Sequence, residues 1–255
     1  MNILVCLKQT FDTETKITLL DGAIKEDGVQ YVINPYDEYA VEEAIAIKES
    51  GEGTVTILTI GPARVEEAVR TALAMGADEA VIVDDPAAFG DEYTAAAVLA
   101  AVVKGRPFDL ILAGNQAVDD GSGQVAIRLA ELLGIPHIGV VTKLTIEGDQ
   151  VTAQRDAEGD LEIVSATLPV LVTAQQGLNE PRYPSLIGIR KASKKPLTKL
   201  TLADLGLTPD AVAPRAQVTE TFLPPAKGAG RVLQGETAVR VSELVRELRQ
   251  TSKVL

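Results

Sequence analysis

Tryptophan is absent and aromatic residues make up 4% of the 255-residue chain, so the interior has to be filled by aliphatic side chains, mainly Ala, Val, Ile and Leu. That mixture suits parallel strands covered by Ala-rich helices. The chain has one cysteine, Cys6, and one histidine, His137. A single thiol excludes an intrachain disulfide, and the two residues cannot furnish a Cys/His metal cluster or a histidine-based triad. Both are read as core or loop residues. Positive charge is also scarce: 24 Lys and Arg stand against 36 Asp and Glu, for a net charge of -12. That balance repels phosphodiester backbones and anionic headgroups, which leaves nucleic acid and membrane surfaces out as general partners. A local basic patch could still serve a protein partner. No apolar run is long enough for a bilayer, the longest helical one being Ala95 to Val103, and MNILVCLKQT enters a strand with no basic flank. A cytoplasmic protein without direct membrane insertion is expected.

The first half alternates regularly. Ile3–Leu7 reads as a buried strand, Val41, Ala44, Ile45 and Lys48 lie on a helix, and Val55–Ile60 is a strand. Helix Val65–Met75 stops at Gly76, then come strand Ala80–Val83, helix Tyr93–Val103, strand Leu110–Ala113 and helix Val125–Leu133, stopped by Gly134. Such alternation predicts βαβ units, hence an α/β fold with a parallel, doubly wound sheet. After Pro136 the pattern changes. Val140–Ile146, Val151–Arg155 and Leu161–Ala166 read as antiparallel hairpins, with Glu147-Gly148-Asp149 and Glu158-Gly159-Asp160 as turns. Leu168–Thr173 reads as one more buried strand with Pro169 at its start. Periodicity fades beyond Gly177, which predicts an irregular extended arm over 178–199 and 208–230. A closing amphipathic helix over Val239–Leu248 puts Val241, Leu244, Val245 and Leu248 on one face. The expected division is 1–177 for the α/β domain with its hairpins, 178–199 for a loop, and 200–255 for a C-terminal arm and helix.

In a parallel sheet the carboxyl ends of the strands form the ligand edge, because helix N-termini with free N–H groups gather there. Three loops fall at that edge. In Asn34-Pro35-Tyr36-Asp37, Asn34 is placed to N-cap, Pro35 to open the helix, Asp37 to act as a capping-box acid and Tyr36 to touch a ring. Gly61-Pro62 offers only backbone. The richest is Gly114-Asn115-Gln116-Ala117-Val118-Asp119-Asp120-Gly121-Ser122-Gly123-Gln124-Val125, between a strand and a helix. Gly121 and Gly123 permit close backbone approach, Ser122 is placed to cap, and the helix N-terminus favours phosphate. The lysine of a Walker loop is missing, so phosphate binding without phosphoryl transfer fits better. Gly228-Ala229-Gly230 does not follow a strand and is no dinucleotide fingerprint.

Four segments in order resemble the electron-transfer flavoprotein β subunits across nearly the whole chain. Asn34 to Ala44 is similar to the family's N-P-x-x-x-x-A-V-E-E-A segment, and Arg70 to Asp78 follows. Ala153 to Thr173, with Arg155, Glu158, Gly159, Asp160, Glu162 and Pro169, fits the diagnostic stretch, and Leu178-Asn-Glu-Pro-Arg-Tyr183 a further hallmark. The resemblance implies an adenine-nucleotide α-hydrolase-like fold and a non-catalytic half of a heterodimer. The α subunit would hold most of the FAD, and this chain a buried AMP. The pocket carried over comprises Cys6 through its backbone, Asn34 to Asp37, the backbone at Ile60, and Gly114 to Val125. Tyr36 would lie against the flavin ring, with Thr13 at another flavin-proximal position where some relatives have an aromatic.

The same resemblance implies electron flow from acyl-CoA and other flavin dehydrogenases to a membrane quinone oxidoreductase. Leu178 to Lys195 is similar to the family's recognition loop, with Leu186 at the anchoring leucine. Independently of the family, Leu186 and Ile187 lie among Arg182, Arg190, Lys191, Lys194 and Lys195, an apolar knob ringed by basic residues that suits an acidic partner. A bifurcating branch places a second FAD in the AMP site and oxidises NADH. Asp119-Asp-Gly-Ser-Gly-Gln-Val-Ala126 shares only Gln-Val with that branch's D-G-D-T-A-Q-V-G, and Val125 also departs from the carriers' D-D-D-x-N-Q-T-G. A free-standing adenine-nucleotide sensor is the alternative of another class, and the long stretch 178–230 argues against it.

Overall fold

The structure, a computed structural model, describes residues 1–51 and 53–255. The parallel part is built from β1 (Asn2–Cys6), α1 (Pro35–Ser50), β6 (Thr54–Ile60), α2 (Glu66–Met75), β7 (Glu79–Val83), α3 (Glu92–Lys104), β8 (Leu110–Gly114) and α4 (Val125–Leu133). Short ladders β2 (Gln9–Phe11) with β5 (Tyr31–Ile33), and β3 (Leu19–Leu20) with β4 (Ala23–Ile24), intervene between β1 and α1. Then follow β9 (His137–Glu147), β10 (Gln150–Ala157), β11 (Asp160–Thr167), β12 (Val170–Ala174), α5 (Leu186–Ala192), β13 (Leu197–Leu200) and α6 (Thr237–Gln250).

The described residues form a nine-stranded sheet in the order β11-β10-β9-β12-β8-β1-β6-β7-β13. Strands from β12 to β13 run parallel, and β9, β10 and β11 add the antiparallel hairpins. Side chains alternate along each strand, so β1 sends Ile3 and Val5 to one face and Leu4 to the other. On the first face lie Ala40, Val41, Ala44 and Ile45 of α1 with Val69, Ala72 and Leu73 of α2. On the second lie Val98 and Val102 of α3 with Leu129 and Ala130 of α4. Gly134, at φ 67°, ends α4 in the left-handed conformation that a side chain would disfavour.

The α/β alternation and the hairpins are as the periodicity predicts. The strand expected from Leu168 begins two residues later, at Val170, with Pro169 before it. The region past Gly177 is a correction. Residues 185–200 are not an irregular arm: α5 packs on α2, and β13 adds a parallel edge strand beside β7. Ser185 N-caps α5 through its Oγ, which accepts from the Gly188 N–H at 3.0 Å. Gly188 lets the helix sit close, since a Cβ there would be 2.2 Å from the Ala74 carbonyl oxygen. Leu202 and Val212 then enter the second core, and Asp91 Oδ2 accepts from the N–H groups of Arg215 and Ala216.

Two compact units result. The first is residues 1–17 with 25–219; the second is residues 18–24 with 220–255 and contains β3, β4 and α6. In the second, Arg231 pairs with Glu243 and Glu247. The apolar side of α6 leaves Val241 and Leu244 exposed.

Candidate functional site

The chain runs from β1 outward through β6 and β7, then returns to place β8 on the other side of β1. Open α/β sheets bind ligands where the winding reverses in this way, outside the carboxyl ends of the strands. A cavity of about 500 Å³ lies there, within the usual range for small-molecule sites. Its wall includes Cys6, Asn34, Asp37, Ile60, Gly114, Asn115, Gln116, Ala117, Asp119, Asp120, Ser122, Gly123, Gln124 and Val125. Pro35, Tyr36, Val118 and Gly121 stand outside that wall. Pro35 opens α1, and Tyr36 is half-buried with its Oη 3.4 Å from Gln116 Nε2. Thr13 is exposed in the turn that follows β2.

Asn34 precedes α1 as expected, yet its side chain does not cap the helix. It reaches across to the β8–α4 loop instead: Nδ2 donates to the Gln116 carbonyl at 2.8 Å, and Oδ1 accepts from the Val118 N–H at 3.1 Å. One buried amide thus fixes both polar directions of that loop. Asp37 is likewise not a capping acid. Its Oδ2 accepts from the Lys8 N–H at 2.7 Å and its Oδ1 from the Gly114 N–H at 2.9 Å, tying the ends of β1 and β8 to α1.

Burial pushes the Asp37 carboxyl up to about 7, the hydrogen bonds from Lys8, Asn34 and Gly114 offsetting only part of the effect. With its folded value above the ordinary 3.8, the folded state retains a proton that the unfolded chain releases across that interval. The associated stability is complete below the unfolded value and is lost as pH rises toward 7. Asp37→Asn cannot titrate, so its loss of stability relative to the parent chain is expected to be greater at about pH 5 than at about pH 8. Urea midpoints of both proteins at the two pH values measure this, and a gap that does not shrink at the higher pH refutes it.

The β8–α4 loop turns on Gly121 and Gly123, at φ 64° and 61°, a region that favours glycine. Ser122 does not cap α4: its own N–H donates to Asp120 Oδ1, and Gln124 occupies the cap position without a side-chain cap bond. Gln124 Oε1 accepts from Arg128 instead. The first-turn N–H groups of α4 therefore lack a side-chain acceptor among the described residues and face the loop with partial positive charge.

Lys8, which sequence reasoning missed, bridges this loop from the end of β1. Its Nζ lies 2.7 Å from both Asp119 and Asp120. Burial works against its charge, but the two carboxylates outweigh it and hold the ammonium above its ordinary range. Gln9, Thr59, Arg64, Phe89 and Asp91 also reach the cavity wall unforeseen. Thr59 lies one residue from the end of β6, and the others lie in the connections that follow β1, β6 and β7, so those connections are the signal that finds them. Cys6 is half-buried at the cavity, and burial pushes its thiol up to about 12, which keeps it protonated and inert at neutral pH. His137 is exposed at the start of β9.

The expected docking knob is divided. Leu186 is 76% exposed, and Ile187, Ile189 and Tyr183 stand out beside it. Arg190, Lys191 and Lys194 are exposed with them. Lys195 is drawn inward, donating from Nζ to the carbonyls of Leu73 and Ala77 at the end of α2. Arg182 is engaged too, pairing with Glu42 at 2.9 Å and Glu49 at 2.7 Å. The basic ring read from the sequence is thereby reduced to one side of α5. No helix among the described residues is long and apolar enough to cross a membrane.

Residues 21–205 match the family model described as Electron transfer flavoprotein domain. The electron transfer flavoprotein subunit beta of Bacillus subtilis (strain 168) is 54% identical, with the whole of both chains covered. That of Syntrophomonas wolfei subsp. wolfei is 43% identical over 100% of this chain and 98% of the relative. The Caffeyl-CoA reductase-Etf complex subunit CarD of Acetobacterium woodii is 40% identical over 98% of both chains.

Proposed function

The chain belongs to the electron transfer flavoprotein family, as a β subunit, and from that premise we propose that it holds AMP in the cavity while an α subunit holds most of the FAD. The observation that carries the AMP reading is the cavity at the switch point, where a side-chain-uncapped helix N-terminus meets a loop clamped by Asn34. Phosphate fits such N–H groups. Without a Walker lysine the loop binds and orients it and transfers nothing.

The roles of the residues follow from this arrangement. Asn34 and Lys8 keep the loop closed over the ligand, Asp37 locks the strand ends beneath it, and Gly123 lets backbone come close. FAD, when bound, supplies the redox chemistry, and the protein supplies position and electrostatics. Tyr36, beside Gln116, is the side chain assigned to the flavin ring. The 178–199 segment, through Leu186 and Ile187 with Arg190, Lys191 and Lys194, docks acyl-CoA and other flavin dehydrogenases. The exposed apolar side of α6 in the 200–255 segment packs on the α subunit. Electrons leave to a membrane quinone oxidoreductase, and the complex works in the cytoplasm.

A second reading puts a second FAD in this cavity, in the manner of the bifurcating branch. It draws support from the 40% identity to CarD, a subunit of a reductase complex. Co-expression with the α subunit, denaturation, and quantitation of the released cofactors decide between them. One FAD and one AMP per heterodimer are expected. Two FAD and no AMP would establish the second reading, and no nucleotide at all would overturn both.

A further inference from the structure

Resting on the docking reading of the 178–199 segment, we infer that Arg182 is a positioning residue for electron delivery: it clamps the approach to α5 onto α1 and so holds Leu186 where a dehydrogenase meets it. The need for a clamp is visible in the backbone. Residues 179–185 form neither helix nor strand, and among the described residues no backbone–backbone hydrogen bond holds 179–184. Leu178 packs against the first core, but Tyr183 is already 96% exposed. The tertiary anchors of α5, Gly188 against Ala74 and Lys195 on the end of α2, both lie beyond Leu186. The Ser185 cap is local and travels with the helix.

Side chains hold the approach instead. Asn179 Nδ2 donates to the Tyr39 carbonyl at 3.0 Å and to Glu43 Oε2 at 2.9 Å. Arg182 does more. Its backbone N–H donates to Glu42 Oε2 at 3.1 Å, its Nε and Nη2 each donate to Glu42 at 2.9 Å, and its Nη1 and Nη2 reach Glu49 at 2.7 and 2.9 Å. Glu42 and Glu49 stand about two helical turns apart on one face of α1. A planar guanidinium with five N–H donors spans both carboxylates, whereas a lysine ammonium has no such fork.

The base of the clamp is rigid. Ala40, Val41, Ala44 and Ile45 of α1 lie in the core, and Glu42 itself is 8% exposed. A carboxylate so far from water needs a counter-ion, and Arg182 pairs with it. Pro181 and Pro184 flank Arg182 and Tyr183 and fix their own φ, so few free dihedrals separate the clamp from Ser185. The chain therefore enters the first turn of α5 on a set course, and Leu186 projects from that turn into solvent. Released from α1, the same stretch would have to be ordered at every encounter. That cost falls on association with the dehydrogenase and not on electron transfer within the complex.

Steady-state reduction of the heterodimer by an acyl-CoA dehydrogenase supplied with its acyl-CoA, with the flavoprotein as the varied substrate, tests this. Two variants are used. Arg182→Lys keeps the charge and loses the fork, and Arg182→Gln combined with Glu42→Gln removes the clamp without leaving a buried carboxylate unpaired. Both are expected to raise the KM for the flavoprotein about tenfold, the scale of ordering a short loop on binding, with kcat, FAD content and AMP content at parent values. In a Leu186→Ala background the same changes should add nothing, because a clamp that acts through Leu186 has nothing left to position. An unchanged KM, a fall in kcat instead, or an equal rise in KM in both backgrounds overturns the assignment of Arg182 while the docking reading stands. If Leu186→Ala alone has the parent KM, the docking reading itself falls and takes this inference with it.

Discussion

Leu186→Ala is expected to slow reduction of the assembled flavoprotein by its dehydrogenases about thirtyfold, because a buried anchor leucine contributes about 2 kcal/mol to such an interface. FAD content, AMP content and melting temperature should remain within error of the parent protein. The separation of effects follows from geometry. Leu186 is 76% exposed at the first turn of α5, whereas the helix is held by other contacts: the Ser185 cap, the close seat of Gly188, and Arg70 donating to the Ala192 carbonyl at 2.8 Å. Truncating a side chain that projects into solvent removes little from folding. Arg190, Lys191 and Lys194 should act differently, since exposed charges at a rim govern association rate and salt dependence more than affinity. Lys195, tied to α2, should change stability instead. Stopped-flow reduction at two salt concentrations, beside a thermal melt, measures all of this. A Leu186→Ala protein that melts early and is reduced at the parent rate would place the docking site elsewhere.

The difference between Leu186 and Lys195 shows how far the sequence could be read. Repeated apolar runs and helix stops identify β1, β6, β7, β8 and helices α1 to α4, because periodic elements report their own burial, whereas the short ladders of β2 with β5 and β3 with β4 carry no such signal. The hairpins are announced by Gly148 and Gly159 between alternating segments. By contrast, α5 and β13 are too short for a period to establish itself, and both depend on tertiary contacts: Gly188 against Ala74, and β13 pairing with β7. The Ser185 cap is the one local sign of α5. The site divides in the same way. Loops at strand ends are legible from the order of elements, so half of the cavity wall could be read from them. Roles were less so. Asn34 and Ser122 carry capping chemistry in sequence, yet Asn34 bonds a loop 82 residues away and Ser122 gives its N–H to Asp120. Pairings over such separations, like that of Lys8 with Asp119, exist only once the sheet order is fixed. The basic ring lost two of its members for a related reason. Arg182 and Lys195 have partners more than a hundred residues distant, and charge counting along the chain cannot see them.

Gly114→Ala is expected to remove AMP from the purified heterodimer and lower its melting temperature by several degrees. Gly114 is the last residue of β8, and its N–H donates to Asp37 Oδ1 at 2.9 Å. A Cβ at this position would lie 2.2 Å from that same oxygen, 2.7 Å from Tyr36 Cβ and 2.8 Å from the Tyr36 carbonyl carbon. Two of these neighbours belong to the first turn of α1 at or next to its backbone, so no flexible side-chain tip can yield. The turn must move, and overpacking of this kind costs about 1–3 kcal/mol. Displacement also breaks the bonds that tie Asp37 to β1 and β8, leaving a buried carboxylate short of donors at about 1–3 kcal/mol more. Asn34 moves with the turn, so the clamp on Gln116 and Val118 is lost and the phosphate loop is no longer held. Gly121→Ala is the control. Its added Cβ meets nothing within 4 Å, and the strain comes only from φ 64°, about 1–2 kcal/mol for a left-handed alanine. That variant should retain most of its AMP. Nucleotide content by chromatography of the denatured heterodimers, with melting curves, compares the two. If Gly114→Ala keeps its AMP and its melting temperature, the junction of Asp37 with the strand ends does not hold the cavity together.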